Sequence, residues 1–346
     1  MDLSMLGWSS FSEKYEGDIK SVARVLAVHR SHLLARTEDK EINLYLSGYI
    51  DEPPCVGDWV TITPEFEDEQ GRPAAIVRSI LERKSEMARW MGNNKQVMAA
   101  NVDQAFIVTS ANQDLNINRL HRFLLLIKRG GISPIIILSK IDLIENADEQ
   151  IKTVSAKLKV PVIGTSMITN LGIENVLELM PLGSTSLFVG SSGVGKSSLV
   201  NRLLGSDVQL VQEIRSDDDK GRHTTTGREL FFIPNGGMVI DSPGVREVQV
   251  FGGLDEMGEV FPEIEAYVNS CRFNNCRHES EPGCAIQEAL QSGDLDAKEW
   301  ENFLKLRREM EFVQRKTNKV ASSNAKKRWR NINMAMRKRK KLKEEQ

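Results

Sequence analysis

The sequence predicts a multidomain fold: a small β barrel first, an α/β domain with a mainly parallel sheet in the middle, and helices around a cysteine-rich segment last. Three observations predict it. Five short strand-like runs, Ser21 to Val28, His32 to Ala35, Glu41 to Ser47, Asp58 to Thr63 and Ala74 to Leu81, are separated by Gly, Pro and Asp turns. From about residue 97 to 250, apolar β-branched runs alternate with helical periodicity, the pattern of a sheet with both faces covered. Three of the four cysteines fall within 271–284.

Composition sets the frame. The chain has 346 residues, 40% hydrophobic and 27% charged, enough for two or three domains with real cores. No run of eighteen apolar residues occurs, and Met1 to Glu13 lacks a basic stretch followed by an apolar one. A cytoplasmic, monomeric protein with no membrane partner is expected. In a reducing compartment, clustered cysteines point to a metal and not to disulfides. The net charge of −2 hides an asymmetry: residues 315–346 carry 13 Lys or Arg against 2 Glu, a net +11, so the first 314 residues carry −13.

The first segment, 1–82, reads as a closed Greek-key barrel, with an oligonucleotide-binding type and an SH3-like type equally compatible with the strand pattern. Arg24, Arg30 and Arg36 are candidate RNA contacts on its exposed face. Residues 83–96 turn polar and basic and read as a linker.

In 97–250, strands are expected at Gln104 to Thr109 and Pro134 to Leu138, joined by a crossover helix with Leu120, Phe123, Leu124 and Ile127 on one face and Gly130-Gly131 at its end. A second helix carries Ile151, Val154 and Leu158. The run Ser184 to Val189 leads into Gly190-Ser191-Ser192-Gly193-Val194-Gly195-Lys196-Ser197, which fits G-x-x-x-x-G-K-[ST], and a helix opens at Lys196. Backbone amides of such a loop curl around phosphates, Lys196 neutralises the outer charge, Ser197 offers its hydroxyl to magnesium, and Ser198 follows in the first helical turn. After the apolar run Met238 to Ile240 comes Asp241-Ser242-Pro243-Gly244. There Asp241 suits magnesium through water and Gly244 a backbone contact with the γ-phosphate. Between these elements lies Gly221 to Thr226, where Thr225 is the candidate switch ligand to magnesium.

The base is read elsewhere. Ser139-Lys140-Ile141-Asp142 follows a strand. A carboxylate at Asp142 accepts from guanine N1–H and its exocyclic amine, a donor pair that adenine lacks. Ser139 stands where Asn or Thr is usual, which puts its bracing role in question. A strand ending at Gly164 is followed by Thr165 and Ser166, candidates for a backbone contact with the guanine oxygen. The order is thus guanine reader, guanine brace, phosphate loop, first switch, second switch. An ordinary GTPase begins with the phosphate loop, so this domain is circularly permuted.

In 251–314, Cys271-x4-Cys276-x-His278-x5-Cys284 supplies three thiolates and an imidazole, a tetrahedral zinc set with no open position for a reacting water. A helix from Asp296 to Phe312, with Trp300, Phe303, Leu304 and Arg307 at helical spacing, is expected to pack on these loops. Cys55 stands apart as a small core residue. The tail 315–346, with Lys326-Lys327-Arg328-Trp329-Arg330, suits a phosphate backbone, and Trp329 an unpaired base.

Together with Val56-Gly57-Asp58-Trp59-Val60 and Ala100-Asn101-Val102-Asp103-Gln104, these motifs resemble the bacterial ribosome small-subunit-dependent GTPase A family over nearly the whole chain. The resemblance implies an oligonucleotide-binding barrel at the start and all four zinc ligands. It also implies a factor acting late in maturation of the small (30S) subunit, in contact with 16S rRNA, hydrolysing GTP to GDP faster on the subunit. Val245 follows Gly244 where many GTP hydrolases place a water-orienting glutamine, so isolated turnover is expected to be slow. His223 in the first switch, or a group from the ribosome, is the candidate replacement. A GTP-gated rRNA-binding scaffold with incidental hydrolysis is the alternative, distinguished by whether small subunits stimulate phosphate release.

Overall fold

The computed structural model describes residues 2–13, 15–48, 50, 52–91, 94–112, 115–191, 193–205, 229–234, 236–241 and 255–312. Two compact units are distinguished, one from Met1–Arg89 and Gln96–Gln249, the other from Trp90–Lys95 and Val250–Gln346.

The first unit opens with a barrel of β1 (Val22–Val28), β2 (Leu33–Arg36), β3 (Glu41–Leu46), β4 (Trp59–Ile62), the short β5 (Phe66–Glu67) and β6 (Pro73–Ile80). The order β1-β2-β3-β6-β4 closes because β1 also pairs with β4. All these pairings are antiparallel except β3 with β6. That closed ring is the oligonucleotide-binding barrel. Alternation directs Ala23, Val25, Leu33, Ala35, Ile42, Leu44, Val60, Ile62, Ala75 and Val77 into its core.

β1 is buried on both faces, which the alternation rule does not anticipate. Its outer face carries Arg24, only 1% exposed, whose guanidinium lies 5.6 Å over the Trp59 ring. One Arg24 nitrogen donates to Thr185 Oγ1 at 2.8 Å and Asn101 O at 3.3 Å, and another to Leu6 O. Burial lowers its pKa to about 10, still well above neutrality. Arg24 is therefore an internal strut, not an RNA contact. Arg36 pairs with Glu41 at 3.2 Å. The N-terminal residues Leu3, Leu6, Trp8 and Phe11 pack around Trp59, with the Trp8 and Trp59 rings 4.7 Å apart, a small core that the sequence reading did not foresee.

The α/β part contains β9 (Gln104–Ser110), β10 (Ser133–Ser139), β11 (Val162–Thr165), β12 (Thr185–Gly190), β13 (Glu229–Phe232) and β14 (Met238–Asp241). Their order is β11-β10-β9-β12-β14-β13, parallel except for the antiparallel β13. The helices Ile117–Arg129 and Ala147–Leu158 make the crossovers from β9 to β10 and β10 to β11. From β9 the chain steps outward to β11, then returns to place β12 on the other side of β9. The crevice where the strand order reverses, at the carboxyl ends of β9 and β12, is where such sheets hold ligands.

The sheet continues into the barrel through one bridge, Ala27 to Glu229. Part of the stretch expected to be a plain linker is instead in β7 (Glu86–Met91) and β8 (Asn94–Ala100), which pair as a two-stranded sheet.

The second unit contains the helices Asp255–Val260, Pro262–Asn269, Ala285–Ser292 and a last one described over 297–312. Trp300 stacks on Phe303 at 5.4 Å, and Phe261 meets Phe303 edge-on at 5.5 Å. Leu306 and Met310 extend the buried stripe. Leu304 is only half-buried, so the stripe runs one step around from the face expected.

Candidate functional site: a clamped phosphate loop and a four-ligand cluster

Strand register lines up the ends of the sheet. Ser139 lies beside Ser110 on one side and Thr165 on the other, while Gly190 lies beside Val108. The phosphate loop leaves β12 at Gly190, whose φ of 144° is open only to glycine, and a Cβ there would run into the Val108 carbonyl of β9. Gly193 and Gly195 have φ of 77° and 96°. Between them Val194 is buried in the cluster with Phe106, Val108, Ile137 and Phe188, which pins the loop to the sheet core. Gly195 precedes the helix Lys196–Leu204, and Ser197 and Ser198 lie exposed in its first turn. The Lys196 Nζ donates to Gly190 O at 2.8 Å and to Ser191 O, so its ammonium sits over the loop.

The segment expected to read guanine grips that loop. Ser139 Oγ lies 2.6 Å from Val194 O and 3.2 Å from Thr109 O, and Ser139 is 6% exposed. Lys140, left-handed at φ 60°, donates from Nζ to Gly193 O at 3.2 Å. Two consecutive residues thus hold two consecutive loop carbonyls. Asp142 lies exposed in the turn Ile141–Leu143.

At the end of β11 Thr165 is buried, and the Ser166 N–H donates to Leu171 O at 3.0 Å. Ser166 Oγ accepts from the amides of Ile168 and Thr169 at 3.3 and 3.2 Å. The amides of Ser166, Ile168 and Thr169 therefore have acceptors within the loop, and Met167 lies between Ser166 and Ile168. Asp241 ends β14. Ser192, Thr225, His223 and Gly244 lie outside the described residues, as does the tail 315–346.

In the second unit the ligand atoms of Cys271, Cys276, His278 and Cys284 lie within 4.8 Å of one another. Cys271 Sγ is 3.5 Å and Cys284 Sγ 3.6 Å from His278 Nδ1, with 4.0 Å between the two sulfurs. A tetrahedron with metal–ligand bonds of about 2.0 to 2.3 Å has edges of roughly 3.3 to 3.8 Å. The cluster fits a structural zinc ion. Burial and the neighbouring thiols push the Cys276 thiol up to about 11, a group that zinc would hold as thiolate. Gln287 Nε2 donates to His278 O at 2.6 Å, and Trp300 meets the imidazole edge-on at 5.6 Å, fixing the ring. The Glu281 carboxylate accepts from the amides of Arg277, Glu279 and Ser280, which lowers its pKa to about 2 and ties the loop together.

Residues 80–251 match the family model described as RsgA GTPase. The chain is 41% identical over 320 residues to the small ribosomal subunit biogenesis GTPase RsgA 2 of Vibrio parahaemolyticus, covering 90% of this chain and 86% of the relative. The chain belongs to the RsgA GTPase family. RsgA 1 of Listeria innocua is 38% identical over 350 residues, covering 97% of each. Among solved structures, YjeQ from Thermotoga maritima matches with a TM-score of 0.62 and 27% identity over 84% of this chain and 98% of that one. YloQ, described as a circularly permuted GTPase, matches with a TM-score of 0.59 and 26% identity over 84% and 94%.

As an RsgA GTPase this chain hydrolyses GTP, and the permutation read from motif order agrees with the strand order β11-β10-β9-β12-β14-β13. Among the described residues no helix is long and apolar enough to cross a membrane.

Proposed function

We propose that this protein is a magnesium-dependent GTPase that binds the small (30S) ribosomal subunit during its late maturation and leaves after hydrolysis. The observation that carries this reading is the clamp: Ser139 and Lys140 hold the carbonyls of Val194 and Gly193, so the guanine reader and the phosphate loop form one receptor despite their reversed order in the chain. The Gly190–Gly195 amides would surround the β- and γ-phosphates and Lys196 neutralise them. Asp142 would accept from the guanine edge and the Met167 amide donate to its carbonyl oxygen. Ser197 and, through water, Asp241 would hold magnesium, which would supply charge neutralisation at the phosphates. In this reading Thr225 would also hold magnesium, Gly244 would contact the γ-phosphate and His223 would be the catalytic group.

The barrel of 1–82 and the tail of 315–346 are proposed to hold 16S rRNA, with 97–250 as the GTPase domain and 251–314 as the zinc-binding and helical domain. A soluble monomer acting in the cytoplasm fits this reading. The names of the relatives and the intact clamp disfavour a scaffold with incidental hydrolysis. Phosphate release with and without purified small subunits tests the proposal, together with sedimentation under GTP, GDP and a non-hydrolysable analogue. Stimulated release and analogue-dependent co-sedimentation are expected; no stimulation overturns it.

A further inference from the structure

We infer that Ser139 braces the phosphate loop but does not contact the base, so this protein reads guanine without a side-chain donor from this position to N7. The inference rests on the nucleotide reading above and concerns how that site divides its work.

A serine hydroxyl carries one hydrogen. Among the described residues, both acceptors within reach of Ser139 Oγ are main-chain carbonyls, Val194 O at 2.6 Å in the phosphate loop and Thr109 O at 3.2 Å at the end of β9. Whichever takes the hydrogen, none remains for a ligand. The residue is also only 6% exposed, at the strand end beside the loop. An asparagine at the same place has two N–H donors on one nitrogen and a longer reach. It can hold Val194 O with one and offer the other to a purine N7, an acceptor. Serine keeps the first task and gives up the second. Base choice then falls on the Asp142 carboxylate, which faces N1–H and the exocyclic amine on the opposite edge of the ring, and on backbone near Met167. Lys140 Nζ is directed to Gly193 O, the loop carbonyl next to the one Ser139 holds.

The prediction is a tolerance. Replacing N7 by CH, as in 7-deaza-GDP, removes an acceptor that nothing at position 139 uses. Calorimetry on the full-length protein should give Kd values for GDP and 7-deaza-GDP that agree within about twofold. Ser139→Asn should tighten GDP about fivefold, the worth of one net hydrogen bond, and leave 7-deaza-GDP unimproved, opening a ratio absent from the wild type. Ser139→Ala should weaken both nucleotides by the same factor, since it removes only the brace, and Ser139→Thr, which keeps the hydroxyl, should restore both.

A wild-type protein that loses fivefold or more on 7-deaza-GDP overturns the inference and needs no variant to do so. Ser139→Asn that gains no preference for GDP overturns it as well. Failure of the wild type to bind either nucleotide would instead sink the guanine-nucleotide reading itself, a separate outcome visible in the same titration.

Discussion

The phosphate loop and the cysteine cluster both hold chemical groups a few ångströms apart, by opposite means. Around the phosphate loop the positions come from a large sheet: Val194 is buried in its core, Gly190 lies against Val108, and Ser139 reaches across from β10. In the second unit helices of six and eight residues and a longer one over 297–312 accompany loops that bring four ligand atoms within 4.8 Å of one another. The first site is a by-product of a fold that stands without its ligand. In the second the metal is part of the fold.

Removing zinc should therefore produce the largest effect. Binding to such a set is worth about 10 to 16 kcal/mol in isolated zinc modules, more than a small helical unit can lose and remain folded. Cys284→Ser or exhaustive chelation should abolish the slow hydrogen exchange of 255–312, while GDP affinity changes by less than about threefold. Equal collapse of both regions in an exchange experiment would break the contrast.

Within the sheet-built site, Gly190→Ala forces a side chain into a left-handed position and against the Val108 carbonyl. The strain of about 1 to 3 kcal/mol should appear as a loss of roughly tenfold or more in GTP affinity, with zinc content unchanged by metal analysis.

Arg24→Met should be next, at about 2 kcal/mol. It leaves Thr185 Oγ1 and the carbonyls of Leu6 and Asn101 without their buried donor, at the start of the strand that leads to the phosphate loop. Thermal unfolding followed by Trp fluorescence should shift downward. The more exposed pair tested by Arg36→Met should move it by less than about 0.5 kcal/mol.

The last effect is a pH dependence. Burial, with the Lys157 charge, lowers the His121 pKa from 6.5 to about 4 in the helix Ile117–Arg129. Below pH 6.5 the unfolded chain takes a proton that the folded one refuses until about pH 4. Stability fully present above 6.5 should thus decline as pH falls toward 4, by about 2 kcal/mol between pH 7 and pH 5. His121→Phe should flatten that slope in urea titrations at pH 5 and 7 and leave the metal cluster unaffected.

Much of this was legible from residues because the determining signals are local. Glycines at 190, 193 and 195 announce a loop that only their backbone permits, and three cysteines with a histidine inside fourteen residues announce a metal. Motif order carried the permutation, since strand neighbours follow from the domain type and not from adjacency in the chain. The long-range contacts were not legible. Strand alternation assigns Arg24 to solvent, and only the second element packed over β1 reverses that. The polar run at 83–96 conceals β7 and β8 because its polar and basic side chains mask any strand periodicity.

By itself, then, the sequence determined the ligand classes, a guanine nucleotide and a tetrahedral metal, since each depends on donor types at short spacing. The tertiary structure alone decided how those donors are divided. Whether a lone serine hydroxyl serves the base or the loop is set by a carbonyl 55 residues away in the chain and 2.6 Å away in space. A hydrogen bond depends on that distance, and no local pattern encodes it.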